Sequence, residues 1–143
     1  WANVGGATGA LLLGLLTLRV PVRTLTIGAM AVAAAMVVYF GHGQADITEL
    51  SLVAAAAGFF TNAGIVGLYA LVAQTFETDV RATATGFAIG VGRGGSALAP
   101  ALAGMLFAIG YGLQTVALLM AMGSVVALIA LIALGTRAAQ PTR

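Results

Sequence analysis

An arginine in the middle of an apolar run has more chemistry to offer than any other residue in this chain. Arg93 stands in Phe87-Ala-Ile-Gly-Val-Gly-Arg-Gly-Gly-Ser96, inside a stretch from about 83 to 109 that predicts a membrane-crossing helix. About ten residues into a helix that rises about 1.5 Å per residue, it sits roughly 15 Å deep, near the midplane of a hydrocarbon layer about 30 Å thick. Arginine there costs about 2.5–3.5 kcal/mol on insertion scales. The predicted spans hold no acidic residue at that depth to offset the cost. A charge kept under those conditions typically faces a water-filled cavity and marks a substrate or ion path. Its planar fork suits a carboxylate, which it can hold through two parallel hydrogen bonds. The alternative is a guanidinium that snorkels to the interface or pairs with helix carbonyls.

Other polar groups sit at informative depths. Thr61 and Asn62 lie about a dozen residues into another long apolar run, again near mid-membrane. Buried amides require partners, so these two either contact a substrate opposite Arg93 or join helices. Tyr69, further along the same run, reads as an amphipathic packing residue, with a substrate contact as the alternative. Glu77, Asp79 and Arg81 form a compact charged segment, either a solvated turn or a cytoplasmic gate that pairs with helix ends. Gly86, Gly90 and Gly94 recur at i+4 spacing and Ala97, Ala101 and Gly104 continue a small-residue face, which reads as helix packing; Gly5 and Gly9 read the same way.

Catalytic and cofactor chemistry has no visible carrier. There is no nucleophile beside a base, no pair of intramembrane carboxylates and no phosphate-cradling Gly-Lys loop, so the expectation is a non-enzyme without cofactor. With no Cys and one His, His42, a metal cluster is not expected. The glycines around Arg93 mimic part of a dinucleotide fingerprint but follow no strand. Six Arg against four acidic residues give a net charge of +2, too scattered for nucleic-acid binding.

The elements that must position these groups follow from composition. Of 143 residues 61% are hydrophobic and 7% charged, against about 25% charged in an average soluble domain. Too little charge remains to cover a water-facing surface, and a lipid bilayer removes that contradiction. Five apolar runs, about 3–18, 25–41, 50–76, 83–109 and 113–134, are separated by short polar breaks. They are apolar all round, which argues helices rather than the alternating strands of a membrane barrel. The fold class is therefore an all-α polytopic transmembrane bundle of about five helices.

The arginines orient it. Arg19 and Arg23 fall in the first break, Arg81 in the third, and Arg137 and Arg143 in the tail, while the second and fourth breaks hold none. The positive-inside rule puts these on the cytoplasmic side of the plasma (inner) membrane, with the N-terminus outside and the C-terminus inside. The chain opens on Trp1 without a signal-peptide pattern, and five helices without a partner repeat read as a piece of a longer protein that lacks its N-terminal transmembrane half.

The segment from Tyr69 through Glu77-Thr-Asp-Val-Arg81 to Gly86, followed by Gly92-Arg93 and Pro100, resembles the tenth and eleventh helices of the major facilitator superfamily with their cytoplasmic connection. Within it the chain looks most like the aromatic acid:H+ symporter family, whose members show a Gly-Arg pair and a following Pro in the eleventh helix. The stretch from Gly14 to Arg23 is similar to the family's repeated loop, with Leu18 in place of the usual Asp and Pro21 in place of the usual Gly. The resemblance covers nearly the whole chain, as helices eight to twelve. It implies proton-driven uptake of a small aromatic or other organic carboxylate by alternating access; the family's acidic proton-coupling residues lie outside this chain. Arg93 would bind the substrate carboxylate, with Thr61 and Asn62 lining the site. Two other readings stand beside this one: an exporter or sugar and metabolite porter of the same fold, and a membrane scaffold without transport activity.

Overall fold

The computed structural model describes residues 1–138, which form five helices: α1 (Ala2–Leu16), α2 (Val22–Gly41), α3 (Ile47–Thr75), α4 (Thr78–Ala108) and α5 (Leu113–Ala138). The five-helix, all-α architecture is the one the apolar runs predict. Arg143 lies outside the described residues. By length and composition, α2, α3 and the stretch Leu113–Ala133 of α5 are each able to cross a membrane. α1, at 15 residues, is shorter, about 22 Å at the usual rise. α4 is long, at 31 residues, but its glycines, threonines and charged first turn lower its apolar content.

Helix ends shift from the expected positions for local reasons. α4 starts at Thr78 rather than near Thr83, so the α3–α4 connection shrinks to Phe76 and Glu77. Asp79 then lies in the first turn of α4, where a negative charge complements the helix dipole. α5 runs past Leu134 and includes Arg137, which sequence reading left in the tail. α4 stops at a Schellman turn. The Tyr111 amide donates to the Leu106 carbonyl at 3.0 Å, and Gly110 adopts φ +97°, which a side chain would strain.

α3 is the organising element: α1, α2 and α4 all pack on it, and α5 packs on α2. Glycine makes the α1–α3 contact possible. A Cβ at Gly5 would collide with the Ala55 carbonyl, one at Gly9 with the Phe59 carbonyl, and one at Gly58 with the Ala2 carbonyl. Apolar burial gives little net attraction between helices in lipid, so backbones this close gain their attraction from van der Waals contact along a small-residue face. On the α2 side, Thr26 is fully buried, its hydroxyl bonded to the Val22 carbonyl at 2.7 Å, and its side chain occupies the space that a Cβ at Gly67 would need. Leu13, Ala29 and Ala63 complete the core where α1, α2 and α3 meet.

α5 is tied to α2 at both ends. Gly41 sits against Ala117, and the Arg23 guanidinium donates to the Leu131 carbonyl at 2.9 Å, with Ile132 at 3.4 Å. Hydrogen bonds from a charged donor contribute about 1.5–3 kcal/mol. Arg23→Gln is therefore expected to lower the midpoint of thermal unfolding in detergent by several degrees, read by the monodisperse fraction surviving a heating series; an unchanged midpoint would show that this clamp contributes nothing.

The glycines of α4 behave differently from those of α1. A Cβ at Gly86, Gly90, Gly94 or Gly104 would meet nothing within 4 Å among the described residues, and no residue of α4 is buried. The expectation that this face packs helices is not met inside this chain.

Candidate functional site

Arg93 is the sixteenth of the 31 residues of α4, at its centre. It opens on a cavity of about 340 Å³ between α3 and α4, walled by Ile65, Leu68 and Val72, with Tyr69, Arg93 and Ser96 as its polar groups. Helical period explains the set. On α3, positions 65, 68, 69 and 72 recur at three and four residues and share one face. On α4, Ala88, Gly92 and Ser96 do the same, and Arg93 lies at the edge of that stripe.

The local backbone is suited to polar contact. Pro100 has no amide hydrogen, so the Ser96 carbonyl one turn earlier loses its helical donor. The Ser96 hydroxyl turns back to the Arg93 carbonyl at 3.0 Å. Among the described residues no protein group accepts a hydrogen bond from the Arg93 guanidinium, and none pairs with the Tyr69 hydroxyl. One turn before Ala88, the Thr85 hydroxyl is enclosed and also unpaired. The site thus combines an apolar wall with a free cation and hydroxyl groups, which is the makeup of a pocket for an amphipathic anion.

Thr61, the fifteenth of the 29 residues of α3, and Asn62 are at mid-helix as expected. The structure does not bring them into the cavity of Arg93. They line a second cavity of about 300 Å³ with Asn3 from α1 and Val37 and Phe40 from α2. The Asn62 amide donates to the Gly58 carbonyl of its own helix at 3.2 Å and fills the space beside Gly6. The two cavities are nevertheless aligned. Asn62 and Tyr69 are seven residues apart, two turns and about 10 Å along the same face of α3. Glu77 precedes α4, and Arg81 donates from Nε to the Phe76 carbonyl at 3.2 Å. Among the described residues no ion pair joins Glu77, Asp79 and Arg81.

Sequence reasoning passed over Ser96 and Asn3, and it favoured packing over substrate contact for Tyr69. The reading of Tyr69 as a contact had a signal in the chain, the seven-residue step from Asn62, which keeps Tyr69 on the polar face.

Five helices, three of them long and apolar enough to span by length and composition, make this a multi-pass membrane protein. Its homologues are transporters, several of them named for aromatic acids, in keeping with the resemblance to aromatic acid symporters of the major facilitator superfamily. The chain is 32% identical to the 3-(3-hydroxy-phenyl)propionate transporter of Escherichia coli over 136 residues, 94% of this chain and 33% of the relative. It is 29% identical to the gallate transporter of Pseudomonas putida, covering 93% of this chain and 30% of the relative. A protein of Arabidopsis thaliana assigned to glycerol-3-phosphate transport is 35% identical over 123 residues, 76% of this chain and 22% of the relative. The chain thus spans a third or less of the length of these curated relatives. No protein-family model and no solved structure matches it.

Proposed function

We propose that this chain is the C-terminal part, helices eight to twelve, of a secondary transporter in the plasma membrane that takes up an aromatic or related organic carboxylate with protons by alternating access. The observation that carries this reading is Arg93 at the centre of α4, opening on an apolar cavity with no protein anion to neutralise it among the described residues. A carboxylate supplies the missing charge, and the Ile65, Leu68 and Val72 wall takes the ring. Thr61 and Asn62, about two turns from Tyr69 along α3, and Asn3 from α1 supply donors and acceptors for ring substituents. The relatives' names support an aromatic acid as the substrate class. Glu77, Asp79 and Arg81 serve as a gate at the cytoplasmic end, the side to which the arginine distribution assigns the α3–α4 turn.

The remaining two thirds of such a transporter cover the exposed glycine face of α4. The test is uptake of labelled benzoate and 3-(3-hydroxyphenyl)propionate into proteoliposomes holding the full-length reading frame, with and without an inward proton gradient. Accumulation that depends on the gradient is the expected result. Gradient-independent exchange would remove the proton, and absence of any aromatic-acid exchange would overturn the substrate class. A second reading, that the anion is a phosphate ester, rests on the plant relative; exchange of glycerol 3-phosphate without benzoate would favour it.

A further inference from the structure

We infer that Tyr69 is a second substrate-contacting residue, whose hydroxyl donates to the same carboxylate that Arg93 holds. The inference rests on the proposed transport reading and adds to it a residue that α3 presents to the same cavity.

Three observations place Tyr69 there. It lines the α3–α4 cavity together with Arg93 and Ser96. Its hydroxyl oxygen is 3.9 Å from where a Cβ on Gly92, the residue before Arg93, would stand. That is van der Waals range, so the phenol oxygen stands beside the α4 backbone immediately before Arg93. It is half-buried, so the ring is held by packing while the hydroxyl has no protein partner among the described residues.

Helix geometry explains why two residues at different levels converge. The two-residue connection makes α3 and α4 antiparallel neighbours. Tyr69 is six residues before the end of α3 and Arg93 fifteen after the start of α4, about 9 Å and 22 Å from the shared turn. Each Cα–Cβ bond tilts toward its own helix N-terminus. For α3 that direction leads away from the turn, and for α4 toward it, so the two long side chains lean toward each other. A carboxylate between them receives two parallel N–H bonds from the guanidinium and one O–H bond from the phenol, while the apolar wall faces the rest of the molecule.

The experiment uses the full-length transporter with Tyr69→Phe and Arg93→Ala, and reads the concentration dependence of labelled benzoate uptake. Tyr69→Phe keeps the ring and removes one hydrogen bond to a charged group, so KM is expected to rise about tenfold with Vmax nearly unchanged. If KM stays within twofold while Arg93→Ala abolishes uptake, the tyrosine is no contact and the transport reading survives. If neither variant changes uptake, both residues lie off the transport path and the inference falls with the role proposed for Arg93. A second measurement does not need an active transporter. In Tyr69→Cys, placed in a segment that contains no other cysteine, benzoate is expected to slow modification by a thiol reagent and benzamide is not. Equal protection by both, or by neither, would overturn the inference.

Discussion

Arg93→Ala in the full-length transporter is expected to abolish measurable uptake of aromatic acids, with efficiency reduced about 30-fold or more. Truncating one partner of a desolvated, hydrogen-bonded charge pair has effects of that size and above. Here the loss is compounded because the cavity has no other cation: its remaining polar groups are the Tyr69 phenol and the Ser96 hydroxyl. Arg93→Lys separates charge from shape. An ammonium keeps the sign but offers a point charge on a flexible stem, so it cannot reproduce two parallel bonds to one carboxylate. Partial uptake with a raised KM is expected for lysine and none for alanine. Rates and affinities for both variants equal to the parent would exclude the residue from the transport path. Size-exclusion profiles should be unchanged, because among the described residues the guanidinium makes no hydrogen bond that its removal would break.

The second large effect concerns assembly. Gly9→Leu is expected to prevent α1 from docking on α3 and to reduce the yield of monodisperse protein several-fold. Overpacking a flexible core is usually accommodated at about 1–3 kcal/mol by side chains that move aside. At Gly9 the obstacle is the Phe59 carbonyl, part of a continuous helix that can give way only if the two helices separate. Gly14→Leu on the same helix is the matched control, since a Cβ there meets nothing within 4 Å. Equal yields for the two variants would show that the close α1–α3 approach does not hold the bundle together. Gly90→Leu on α4 should leave the packing of α1, α2, α3 and α5 on one another intact for the same reason as Gly14→Leu. In the full-length protein it becomes a probe of whatever covers that face.

These contrasts show why glycine spacing was a weak guide. Gly5 and Gly9 on α1, and Gly86, Gly90 and Gly94 on α4, carry the same i+4 signature. A Cβ on either of the first pair would collide with a neighbouring backbone, whereas one on any of the second set would meet nothing within 4 Å among the described residues. The difference lies in which helix each face is turned toward. That rotation depends on long-range contacts, which spacing along one helix does not encode.

The chain by itself determined the number of helices, their approximate ends and the mid-helix positions of Arg93, Thr61 and Asn62, because each of these is set along one dimension. A backbone in hydrocarbon must satisfy its own hydrogen bonds, so every long apolar run becomes a helix, and a fixed rise per residue turns position into depth. Tertiary structure alone decided which groups meet. Thr61 and Asn62 are mid-helix like Arg93, yet they belong to a cavity shared with α1 and α2, while Tyr69, further along the same helix, lines the cavity of Arg93. The two-residue turn that makes α3 and α4 antiparallel and the glycine contacts that fix how each helix is rotated set those meetings, and neither acts within a single helix.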